Sequence, residues 1–184
     1  MNYTNPQYLV ETHWLQEHLD ADHIRVFDVT GMLTSKLQNL AEDRHYAEGH
    51  IPGAMFLDVA SARGALSNAD ASLPWMWPST RQFAQTMSRC GVEQNSHVVV
   101  YAATPRPGVD NGIMWSTRTW WTLHHMGVQC SILNGGWEKW ISDGHAVSKT
   151  PSAYAKTHFQ SAKPGLEAVV DKSQVASALR STNG

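Results

Sequence analysis

The sequence predicts a parallel α/β domain, on three observations. Short apolar runs alternate with stretches whose apolar residues fall at helical spacing, joined by short connections. One run, His97-Val98-Val99-Val100-Tyr101-Ala102, is almost continuously hydrophobic, as a strand covered on both faces should be. That run feeds a loop rich in Pro and Gly, which opens onto a tryptophan-rich helix starting near Ile113. Ligands of parallel α/β folds bind beyond the carboxyl ends of the strands, where the free N–H groups of a following helix attract anions. The loop after Ala102 is therefore the place expected to carry chemistry.

Each element has a local reason. Tyr8-Leu9-Val10 reads as a first edge strand. Thr12 is placed to cap a helix to about Leu19, with Trp14, Leu15, His18 and Leu19 at helical spacing, and Asp20-Ala21-Asp22 breaks it. Residues 24–29 form a strand with Asp28 at its carboxyl end. Residues 30–48 are polar and show no firm periodicity. Residues 46–54 make a turn packed with Gly and Pro, and 54–57 a short strand followed by Asp58. Residues 60–78 read as a long surface loop. Ser79 opens a helix to about Arg89, with Phe83, Ala84, Met87 and Cys90 on its packing side and Gly91 as its stop. Beyond the 97–102 strand the tryptophan helix runs over 113–126 and stops at Gly127. A strand follows over 128–133, and Asn134-Gly135-Gly136 turns into a helix over 137–142.

The division expected from this pass is a domain over 1–147, a linker over 148–170 and, over 171–184, the start of something further. The linker is polar and contains Pro151 and Pro164. The last segment is a short helix with Val175, Ala178 and Leu179 on its apolar side, and a lone short helix is marginal in water.

Composition narrows the function classes. Of 184 residues, 42% are hydrophobic and 16% charged, which is ordinary for a globular chain and argues against global disorder. The formal net charge of -2 gives no electrostatic case for nucleic acid or an anionic membrane. Two cysteines, Cys90 and Cys130, are too few for a disulfide framework and lack metal-ligand spacing. No signal peptide and no apolar run of membrane-spanning length is visible, so a reducing cytoplasm is the expected location. The ten histidines are scattered, with His13, His18 and His23 five apart and His124 beside His125, so no metal and no cofactor is expected. The eight tryptophans are read as core and interface packing.

Tyr46-Ala47-Glu48-Gly49-His50-Ile51-Pro52-Gly53-Ala54 closely resembles the signature turn of rhodanese domains. Other segments fit in the same order. Arg25-Val26-Phe27-Asp28-Val29 looks like that family's strand ending in Asp, and Leu73-Pro74 with Pro78-Ser79 resembles the segment before its central helix. Trp115-Ser116-Thr117-Arg118-Thr119-Trp120-Trp121 followed by Leu133-Asn134-Gly135-Gly136-Trp137 is similar to the N-terminal domain of tandem rhodaneses. The resemblance covers about 8–147, and the stretch from Lys163-Pro164 to Leu179 looks like a linker and opening helix of a second such domain. It implies a three-layer fold, a five-stranded parallel sheet flanked by helices. It also implies kinship with thiosulfate and 3-mercaptopyruvate sulfurtransferases. In these, a cysteine takes a sulfane sulfur as a persulfide and passes it to cyanide or a thiol.

In an active domain of that family the cysteine directly follows the strand corresponding to 98–101, and here that position is Ala102. The chemistry needs a thiolate whose pKa is lowered by a helix N-terminus and loop N–H groups. Ala102 and Ala103 supply no nucleophile, Pro105 and Pro107 have no N–H to donate, and Asp110 adds negative charge. Asp110 or Asn111 is better placed to cap the following helix, and Arg106 is read as solvated. Cys90 falls at a helix C-terminus, where the dipole raises a thiol pKa, and Cys130 falls in a strand, buried and inert. A related phosphatase chemistry would need the same absent cysteine.

Four residues are candidates for an interdomain or substrate cleft: His50, Asp43, Trp115 and Arg118. His50 either faces a partner domain's active site or braces the tight turn by hydrogen bonds. Asp28 and Asp58 are read as pinning loops. Arg118 either binds an anion or, the preferred reading, stacks on Trp115 or Trp121 and pairs with a carboxylate.

The resulting expectation is a non-catalytic N-terminal rhodanese domain of a tandem sulfurtransferase. Its partner would be a second domain carrying the persulfide cysteine, together with that enzyme's small sulfur donor and its thiol or cyanide acceptor. The alternative is a standalone inactive domain acting as a binding or regulatory module.

Overall fold

A computed structural model describes residues 4–103, 112–161, 170 and 172–181. Five parallel strands, β1 (Leu9–Val10), β2 (Ile24–Asp28), β3 (Met55–Phe56), β4 (His97–Tyr101) and β5 (Gln129–Leu133), form one sheet in the order β1-β5-β4-β2-β3. The helices are α1 (Thr12–His18), α2 (Ala41–Arg44), α3 (Thr80–Arg89), α4 (Gly112–His125), α5 (Gly136–Ser142) and α6 (Lys172–Ser181). The most apolar run, β4, takes the centre, with Val26 opposite Val99 on one side and Ser131 opposite Val99 on the other.

Strand alternation divides the core into two layers. Val98 and Val100 point to one face with Phe27, where Phe83 and Met87 of α3 and Trp115 and Leu123 of α4 cover them. Val99 and Tyr101 point to the other with Val26, against Leu15 of α1 and Trp140 of α5. The expected three-layer α/β arrangement follows from this two-sided burial.

Local expectations meet tertiary contacts with mixed results. Ser79 caps α3 in a full capping box, its Oγ accepting from the Gln82 N–H at 3.2 Å while Gln82 Oε1 accepts from the Ser79 N–H at 3.0 Å. Thr12 does not cap α1. It is the first helical residue, Glu11 stands at the cap without a side-chain bond, and the Thr12 hydroxyl donates to the Asp143 carboxylate at the end of α5. A long-range acceptor for the hydroxyl hydrogen won over the local backbone N–H donor that a cap would use. Within the irregular 30–48 stretch the chain forms α2 and a 3-10 turn over Tyr46–Glu48.

The 60–78 segment is not simply a surface loop. Ala60 and Leu66 are buried, Trp75 and Trp77 pack on the core, and the Trp75 Nε1–H donates to the Ala60 carbonyl at 2.8 Å. Two tryptophans in a polar sequence had too much apolar surface to stay in water.

Residues 148–161, the expected start of a linker, lie strapped along the domain. Ser148 pairs with His50 in an antiparallel bridge. Tyr154 accepts from the Val26 N–H at 3.1 Å, donates to the Gly53 carbonyl at 2.8 Å and lies under the Arg25 guanidinium. Phe159 is buried edge-on against Phe83, with its N–H on Ser88 Oγ at 3.0 Å. α6, by contrast, has no buried residue.

Candidate active-site position at the carboxyl end of the sheet

β4 delivers Ala102 and Ala103 to the carboxyl edge of the sheet, both buried. Their backbone is fixed from two sides. The Ala102 carbonyl accepts from the Trp137 N–H at the start of α5 at 3.2 Å. Gly136 makes that approach possible: its φ is +56, and a Cβ there would stand 2.4 Å from the Ala102 oxygen. On the other side the Ala103 N–H donates to Thr30 Oγ1 at 3.0 Å, and the Thr30 N–H donates to Asp28 Oδ1 at 2.9 Å.

Asp28 is fully buried, with His45 Nε2 3.7 Å from its Oδ2 and the His45 ring edge-on to Trp137. The neighbouring Tyr101 phenol is pushed well above its usual pKa, by burial first and then by the Asp28 charge. Its oxygen accepts from the Ile51 N–H at 3.2 Å. The ends of β2 and β4 are thus tied into one hydrogen-bonded floor.

A cavity of about 270 Å³ opens over this edge, walled by Ala102, Ala103, Leu133 and Gly136, with Ser116 and Asn134 as polar lining. It can admit a small molecule. It offers no thiol among the described residues. The loop expected to close it, with Pro105, Arg106, Pro107, Asp110 and Asn111, lies outside the described residues.

The two cysteines are free and buried elsewhere. Burial pushes the Cys90 thiol up to about 11 against a smaller lowering effect of Arg89, and pushes Cys130 up to about 12. For Cys90 the first cause is burial, not the helix-end dipole that the sequence suggested. Thiols this weak are almost entirely protonated at neutral pH, and it is the thiolate that attacks sulfur.

The four candidate cleft residues fall in three places. His50 is fully buried and stacked on Tyr46 at 3.8 Å, its Nδ1 2.8 Å from the Tyr46 carbonyl and its Nε2 3.0 Å from the Thr150 carbonyl. It braces the turn and clasps the strap. Asp43 is exposed on α2. Trp115 and Arg118 meet at Trp75: the Trp75 ring lies 6.2 Å from that of Trp115, and its carbonyl accepts from Arg118 Nη2 at 2.8 Å. Trp115 is a core residue, so close to Gly31 that a Cβ there would stand 2.4 Å from its Nε1.

The preferred partner for Arg118 was a carboxylate; a carbonyl takes its place because the 60–78 segment folds over α4. Burial lowers the Arg118 guanidinium. Asp58 pins its loop as expected, Oδ1 accepting from the Ala60 and Ser61 N–H groups at 3.2 and 3.0 Å.

Sequence reasoning missed three residues of this edge. Asn39 donates to the Thr30 carbonyl and to Asp58 and accepts from the Met32 and Ala41 N–H groups, knotting the loops after β2 and β3. It carried no periodic signal. His45 and Thr30 reach Asp28 and Ala103 only through the fold; His45 stands immediately before the turn motif, its one local hint. Among the described residues, no group of three or more His, Cys, Asp or Glu side chains could hold a metal ion, and no helix is long and apolar enough to cross a membrane.

A parallel sheet in this order, with a buried Asp at the end of β2 and a strand-end loop position after β4, defines a class of α/β domain. The chain belongs to the rhodanese-like domain family, which it matches over residues 11–143. It is similar to the thiosulfate sulfurtransferase of Gallus gallus, 33% identical over 157 residues, covering 83% of this chain and 50% of the relative. It is 36% identical over 138 residues to the 3-mercaptopyruvate sulfurtransferase of Escherichia coli (strain K12), covering 74% of this chain and 44% of the relative. Among solved structures it superposes on SseA from Escherichia coli, described as a 3-mercaptopyruvate sulfotransferase, with a TM-score of 0.77 and 32% identity over 93% of this chain and 61% of that one. The chain spans about half the length of the curated relatives it matches.

Proposed function

We propose that this rhodanese domain is the non-catalytic N-terminal half of a tandem sulfurtransferase. A second rhodanese domain would carry the persulfide cysteine and move sulfane sulfur from thiosulfate or 3-mercaptopyruvate to cyanide or a thiol. The observation that carries this reading is Ala102. It sits buried at the end of β4, where the family resemblance expects the nucleophile, and both cysteines of the chain lie buried with raised pKa values.

The length of the relatives and the partly exposed apolar residues Met114 and Trp121 of α4 and Val175 and Leu179 of α6 fit a domain that packs against another. In this role the domain forms one wall of the catalytic cleft. Free, unpaired cysteines fit a reducing cytoplasm.

The test is thiocyanate formation from thiosulfate and cyanide by the 184-residue chain. The expected result is no turnover above the enzyme-free rate. Turnover that survives Cys90→Ser with Cys130→Ser would sink the reading, because the chain would then act without a thiol; turnover lost with one of them would place the nucleophile there and sink it equally.

A further inference from the structure

A groove of about 450 Å³ runs between α3 and the strap, on residues that the sulfurtransferase reading does not use. Arg81 and Arg89 project from α3, Lys156 and His158 from the strap, and Gln85 lies between the two arginines. No carboxylate lines it, and none of the four basic side chains has an ion-pair partner among the described residues. On a chain whose formal net charge, counted with neutral histidines, is -2, the two arginines and the lysine are a local concentration of positive charge that no carboxylate lines.

Like charges gathered in one groove repel, and they raise the local concentration of anions. Arg81 and Arg89 stand eight residues apart on one helix face, so their Cα atoms are about 12 Å apart along the axis. That span exceeds a single phosphate and suits an elongated anion. Guanidinium forks bind phosphate oxygens in pairs, and the lysine adds a mobile point charge.

The walls are held by folded structure. The Thr157 N–H donates to the Ser88 carbonyl at 2.9 Å, the Phe159 N–H donates to Ser88 Oγ, and the Phe159 ring is sunk in the core beneath. Ser88 and Thr157 are therefore spent on fixing the strap; Arg89 donates from Nη2 to Thr86 Oγ1 at 3.2 Å and keeps its other N–H groups for a ligand, as do Arg81 and Lys156. With the backbone fixed in this way, only the exposed basic side chains are ordered on binding.

We propose that the groove binds an anion carrying two or more phosphate groups in line. Arg81 and Arg89 on α3 and Lys156 on the strap are its charged contacts.

The experiment is calorimetric titration of the full chain with inorganic tripolyphosphate and, separately, orthophosphate, at low and physiological salt. Saturable binding of tripolyphosphate, about tenfold or more tighter than orthophosphate, is expected, weakening with salt. The exposed pair Arg81→Gln with Lys156→Gln should weaken it about tenfold or more, with circular dichroism confirming the fold. Lys36→Gln, outside the groove, should leave it unchanged. No saturable binding, equal binding by the double variant, or an equal loss with Lys36→Gln would each overturn the proposal. None of these results bears on thiocyanate formation.

Discussion

Single atoms decide the character of the candidate site. Gly136 has φ +56 and no room for a Cβ against the Ala102 carbonyl, so the strand end and α5 meet only because a hydrogen stands there. Gly136→Ala is expected to cost about 2 kcal/mol or more, read as a lower urea midpoint, since left-handed strain and a backbone clash add. The cysteines set a pH dependence. In the folded chain Cys90 and Cys130 hold their protons to about 11 and about 12, against the usual thiol value of 9.0. The folded state therefore binds more protons than the unfolded one in that window, and stability falls as pH rises. Their contribution is intact below about 9 and is lost as pH climbs through the folded values. Burial also raises Tyr101 and Tyr154 from 10.0, which steepens the fall at higher pH in the same direction. Denaturation midpoints should begin to drop near pH 9 in the unaltered chain and nearer pH 10 in a Cys90→Ala, Cys130→Ala variant.

Among the elements, the strap is the least expected. Its sequence is polar and aperiodic, yet Phe159 enters the main core and Tyr154 bonds both strand β2 and the turn before β3. Phe159→Ala is expected to destabilise the domain by about 3 kcal/mol or more, because a buried ring leaves a cavity that a backbone-anchored segment cannot refill. Urea unfolding checks this, and a change within about 0.5 kcal/mol, the range of an inert surface substitution, would show the strap to be peripheral. The regular elements were legible for the opposite reason. α3 announces itself by Ser79, Gln82 and Gly91, signals that act within four residues. β4 announces itself by an unbroken β-branched run. Thr12 misled because its local capping chance competes with a carboxylate 131 residues away, which no short window contains.

The whole molecule separates into a packed body and a last helix, α6, with no buried residue. Its Val175 and Leu179 face outward at 47% and 63% exposure. Val175→Ser with Leu179→Ser is expected to change the folding free energy by no more than about 0.5 kcal/mol, read by urea unfolding, whereas ending the chain at Val147 should lower it sharply. Rhodanese kinship fits this division, since the curated relatives extend to about twice the matched length. At this scale the candidate catalytic edge and the basic groove are separate features. The first is inherited from strand order. The second exists only because the strap crosses α3.

By itself the sequence determined the α/β class, the strand and helix positions with strong local periodicity, the family, and the alanine after β4. These depend on neighbours a few residues apart, or on a motif whose residues are contiguous. Only the tertiary structure decided that Asn39, His45 and Thr30 build the floor of the candidate site, that a carbonyl rather than a carboxylate takes Arg118, and that residues 148–161 pack along the body. Each of these rests on partners far apart in the chain, brought together by burial of apolar surface, which carries no record of sequence distance.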